Sequence, residues 1–208
     1  MPRLRRSLRP LRRCTRSRNW FRRRRPRETT MEAAQEISTD LLTTSKKEAL
    51  GEVNDWIRSN TKNYMKIYDP YFTFANLALL GMIPSDISVY IVTSWKSQAG
   101  ISPGDKRVEG LFREAWRGMS ASDPPWTQIV VVGIKSGDSP IHSRFILTEG
   151  KGLNLGTSIG SLGAKDTEVR FLDSDEARKI ESEFVDPLLG PQLKTFRDER
   201  LLVHTFIL

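Results

Sequence analysis

The chain has one cysteine and two histidines in 208 residues. Cys14 has no second cysteine to pair with, so neither an internal disulfide nor a thiolate-based zinc site can be built. The lack of disulfides fits a reducing compartment, and a cytoplasmic location is the expectation. No stretch approaches the roughly 18 apolar residues that span a bilayer. The N-terminus also lacks the apolar core of a secretory signal. Acidic residues and lysine are both missing from the first 27 positions, which hold 13 arginines instead. Beyond them, 20 basic side chains face 25 acidic ones. The net charge of +8 therefore belongs to the N-terminal stretch, and the remainder is mildly acidic. A basic groove for nucleic acid cannot be inferred from the total.

Residues 1–30 combine this arginine density with three prolines, a composition that resists folding by itself. Three readings stand side by side. The segment is an arm for polyanions, with Trp20 and Phe21 available to stack or insert; or an organelle-targeting sequence; or a stretch preceding a true start at Met31. The expected organisation is an Arg-rich tail over 1–30, a short helical lead-in over 31–44 and one domain over 45–208. Ala33, Ala34, Ile37, Leu41 and Leu42 suggest the lead-in helix.

From about Ser45, Leu50, Val53, Trp56 and Ile57 recur at helical spacing against a charged face. Strands are expected at 64–68, 87–92, 128–134, 144–148 and 152–155, with 167–172 as the last core strand. The run from Gln128 to Ile134 is rich in β-branched residues, as in a strand covered on both faces. Helices are expected at 74–81, 106–119 and 175–184, the last capped by Ser174 and ending before Pro187. Strands alternating with helices give an α/β fold, a mixed sheet with helices on both faces. The segment 201–208 reads equally as a strand or an exposed tail. Trp56, Trp95, Trp116 and Trp126 read as core or rim packing.

The informative stretch is Ile141-His142-Ser143-Arg144, then Glu149, then Gly156-Thr157-Ser158-Ile159. It resembles the motif of the phospholipase D superfamily: His, any residue, Lys, four residues, Asp, six residues, Gly-Ser-x-Asn. Asp69-Pro70-Tyr71-Phe72 at a strand end resembles the opening of related bacterial domains. The resemblance implies a phosphodiesterase, a nuclease, in which one histidine attacks phosphorus and a second protonates the leaving oxygen. Carried over, His142 is nucleophile or acid, Arg144 clamps the phosphate, and Glu149 stands for the motif's acid. Thr157 and Ser158 donate hydrogen bonds to the phosphate, and Asp69, well placed at the C-terminal end of a strand, is taken with them as phosphate-binding. No cofactor is implied. A single motif implies a homodimer, so that two chains each supply one histidine. The substrate class implied is a phosphodiester, nucleic acid ahead of lipid. The serious departures from the motif are Arg144 for Lys, Glu149 for Asp and Ile159 for Asn. These departures support an alternative, a degenerate module that binds phosphate groups of nucleic acid or anionic lipid without turning them over.

Overall fold

The computed structural model describes residues 41–43, 46–98, 100–164, 167–190, 195–196 and 198–208. The Arg-rich segment 1–30 and residues 31–40 of the expected lead-in helix lie outside the described residues. The strands are β1 (Leu41–Thr43), β2 (Tyr64–Tyr68), β3 (Ser88–Ser94), β4 (Thr127–Ile134) and β5 (Phe145–Thr148). They continue with β6 (Lys151–Leu155), β7 (Thr167–Leu172), β8 (Thr195–Phe196) and β9 (Glu199–Ile207). Their spatial order is β1-β7-β6-β5-β2-β3-β4-β9-β8. The central β2, β3 and β4 run parallel. The flanking pairs are antiparallel.

Alternation along the strands sends side chains into two separate cores. Met65, Ile67, Val89, Ile91, Ile129, Val131 and Ile146 face one layer of helices. That layer comprises α1 (Lys46–Asn60), a 3-10 helix (Phe74–Met82) and α2 (Arg107–Met119). The apolar stripe of α1 buries Ala49, Val53 and Ile57, and α2 buries Val108, Phe112 and Trp116. Tyr68, Val92, Val130, Val132 and Leu147 face the other layer. That side holds α3 (Ser174–Ile180), a π turn (Glu181–Val185) and α4 (Asp186–Leu189). Lys66 on β2 pins the π turn, its Nζ lying 2.6 Å from Glu181 and 2.5 Å from Asp186. The expected mixed α/β sheet with helices on both faces is what forms. No described helix is long and apolar enough to cross a membrane.

Four local expectations differ from the structure. Leu41–Thr43 is a strand rather than the end of a helix, because its backbone pairs with β7 at Thr167–Val169. The sheet thus includes residues ahead of the boundary expected at 45. Asp173, not Ser174, caps α3; its carboxylate accepts from the N–H groups of Asp175 and Glu176. The helix expected over 175–184 is α only to Ile180 and passes into the π turn, and Pro187 sits in the first turn of the α4 that follows, where no N–H is required. Finally, β7 is not the last core strand: β9 pairs with β4 from Ile134↔Leu201 to Gln128↔Ile207.

Candidate phosphate site at the sheet edge

The parallel strands deliver their C-terminal ends to one edge of the sheet, and two antiparallel strands bring other segments to the same place. Tyr68 at the end of β2 lies opposite Phe145 at the start of β5. The ladder between β5 and β6 extends one step further, with Leu155 N donating to Arg144 O at 2.9 Å. Residues 69–72, 142–144 and 156–159 therefore converge, although some 90 positions separate the first from the last.

Asp69 organises the convergence. Its side chain is fully buried. One carboxylate oxygen accepts from Tyr71 N and the other from Ile159 N, each at 2.9 Å. Burial pushes the Asp69 carboxyl above its ordinary range, while the two backbone donors and the nearby Arg144 charge pull it down. The turn after Asp69 is braced from β3 and the segment that follows it. Thr93 Oγ1 donates to Phe72 O at 2.7 Å, and Gln98 Nε2 donates to the same oxygen at 2.9 Å. Ser94 N donates to Pro70 O at 3.3 Å, and Phe72 fills the core beneath.

Arg144 lies half-buried with its guanidinium 5.1 Å from the centre of the Tyr71 ring. Its Nε is buried and has no hydrogen-bond partner among the described residues. A desolvated donor on a permanent cation is costly unless an acceptor arrives, and a phosphate oxygen is a fitting one.

The structure brings most of the sequence-predicted residues together. His142 is exposed, two positions before Arg144 on the approach to β5. Thr157 is half-buried, and Ser158 is buried with its hydroxyl 3.2 Å from that of Ser161. Ile159, in the motif's Asn position, points into the core and is 4% exposed. Glu149 is not brought to the site. It sits in the β5–β6 turn and accepts from Asn63 Nδ2 at 2.7 Å. Five residues of extended chain separate it from Arg144, about 17 Å at the usual rise per residue. His204 is also elsewhere, on β9 opposite Val131 and packed between Trp95 and Phe206. Sequence reasoning missed Thr93, Gln98 and the ring of Tyr71. Thr93 and Gln98 carried no signal, whereas Tyr71 stood inside the quoted Asp-Pro-Tyr-Phe run. Among the described residues, no group of three His, Cys, Asp or Glu is placed to hold a metal ion.

No family model matches the chain, and no curated protein matches it. Among solved structures it is similar to NucT from Helicobacter pylori, at 15% identity and a TM-score of 0.49. That alignment covers 73% of this chain and 94% of NucT. It is also similar to TrmBL2, described as an archaeal chromatin protein with a novel mode of DNA binding, at 9% identity and a TM-score of 0.41. There 75% of this chain aligns with about half, 54%, of TrmBL2. Neither likeness is close enough to carry an argument about activity.

Proposed function

We propose that the domain is a phospholipase D-like phosphodiesterase, a nuclease, acting through His142 in a homodimer. The observation that carries this reading is the buried, unpartnered Nε of Arg144 beside the exposed His142 at one sheet edge. An anion seated on Arg144 would lie two residues along the chain from an exposed histidine. In the reaction implied by the motif, His142 of one chain attacks phosphorus and forms a P–N bond as the bond to the leaving oxygen breaks. His142 of the second chain gives that oxygen its proton. Water then cleaves the P–N bond and returns both imidazoles to their starting states. Asp69 supports the site from below by holding the Tyr71 and Ile159 backbones.

The test is cleavage of oligonucleotides and of bis(p-nitrophenyl) phosphate in the presence of EDTA, with light scattering on the same sample. Cleavage by a dimer that disappears in His142→Ala supports the proposal. A monomer, or a dimer that leaves every substrate intact, removes the catalytic reading.

A second reading has its own observation. Ile159, in the motif's Asn position, is committed to the core, and the neighbouring Ser158 hydroxyl is bonded to Ser161 rather than free to replace that Asn. A module that holds a phosphate without turning it over needs Arg144 alone among the motif residues. Anion affinity that falls in Arg144→Ala, with no turnover in the parent chain, selects this reading.

A further inference from the structure

Tyr71 is 51% exposed, yet its position is tightly set. Its N–H is held by Asp69, and Phe72 next to it is buried. The carbonyl of Phe72 takes hydrogen bonds from both Thr93 and Gln98. The guanidinium of Arg144 lies over the ring. The other exposed aromatics of the described residues lack this combination. Phe74 packs edge-on to Phe112, and Trp126 packs on Tyr90 at the far end of β4. Phe184 lies on the π turn of the opposite helical layer.

We infer that Tyr71 is a stacking platform for an unpaired nucleobase next to the phosphate held by Arg144, which makes single-stranded nucleic acid the ligand of this site. The inference rests on the phosphate site proposed above and adds its ligand class. A flat π-face beside a cation suits a base whose own faces are free. Bases in a duplex are already stacked on both sides, and a lipid headgroup has no planar ring to offer. The braced turn matters energetically, because a platform fixed before binding loses little freedom when the base arrives. Arg144 contributes to both halves of the site: it carries charge for the phosphate and polarises the ring that meets the base.

The experiment measures binding by the full chain, by Tyr71→Ala and by Tyr71→Phe. The probes are a single-stranded oligonucleotide, its duplex, the same strand with abasic sites, and anionic phospholipid vesicles. Removing one stacking platform weakens single-strand binding roughly tenfold to a hundredfold in Tyr71→Ala, and Tyr71→Phe restores it. Binding of the abasic strand is unchanged by either substitution. The dependence on salt stays the same in Tyr71→Ala, since no charge is lost, and becomes shallower by about one counterion in Arg144→Ala. Equal affinity of Tyr71→Ala and the parent chain for the single strand overturns the inference while leaving the phosphate site standing. Preference of the parent chain for duplex or vesicles overturns it as well. Failure of the parent chain to bind any of the four probes defeats the phosphate site itself.

Discussion

Completing the motif by Ile159→Asn is the change a sequence comparison would recommend, and the structure predicts that it damages the protein. Ile159 is 4% exposed and packs in the larger of the two cores. Taking an isoleucine out of the core forfeits about 2–3 kcal/mol of burial. The asparagine amide that replaces it enters an apolar site, which adds about 1–3 kcal/mol for unmet hydrogen bonds. The total, roughly 3–6 kcal/mol, is a large part of the 5–15 kcal/mol typical of whole domains. Urea unfolding reads this directly. With a slope of about 2 kcal/mol/M, the midpoint falls by roughly 1.5–3 M at unchanged slope. Ile159→Val serves as the control and costs about 1 kcal/mol. Phosphodiester cleavage by Ile159→Asn, measured where it remains folded, is no faster than in the parent chain. A variant within about 1 kcal/mol of the parent would show that this side chain is not part of the core and would refute the argument.

Other substitutions probe the framework of the site. In Gly156→Ala the new Cβ would stand 2.9 Å from the carbonyl oxygen of Glu168, a backbone atom fixed by its bond from Gly156 N. Thermal unfolding should show a loss of about 1–3 kcal/mol. Lys66→Met leaves Glu181 and Asp186 facing each other without their cation. A loss of about 2–3 kcal/mol is expected, below the full cost of breaking a buried pair because Asp186 is partly solvated. Asp69 should give a pH signature. Its carboxyl titrates higher folded than unfolded, so the native state binds the proton more tightly. Protonation of Asp69 therefore favours folding. This contribution is complete below the unfolded pKa and is lost as pH rises through the folded value. Denaturant titrations from pH 4 to 7 should show the parent gaining on Asp69→Asn as pH falls, and parallel curves would contradict the assignment.

The legible parts of the fold were those where a local pattern and a tertiary role coincide. The β-branched run of β4 is buried on both faces as its composition demands, and the stripe of α1 meets the core. Leu41 and Leu42 continue an apolar spacing that by itself predicts helix. Pairing with β7, more than 120 residues away, decided otherwise, and that partner leaves no local trace. The segment 201–208 was undecidable for the same reason: alternation is imposed by β4 below it. Arg144 and His142 lie near each other because they share one short stretch of chain. Glu149 follows at the motif's spacing, yet β5 carries it to the opposite end of the sheet. Asp69 was legible as a strand-end residue, but its buried bond to Ile159 joins two parts of the motif region that sequence shows only as distant.

The pairing of β4 with β9 has a consequence for how the protein is made. β4 leaves the ribosome well before residues 199–207 do, and in that interval one long edge of a β-branched, apolar strand has no neighbour. Such an edge recruits strands from other nascent chains. Polar or charged substitutions on the exposed side of β9, at Val203 or Ile207, leave the edge intact and should do little harm. Proline at His204 removes an N–H from the closing strand and should shift newly made protein from the soluble to the insoluble fraction.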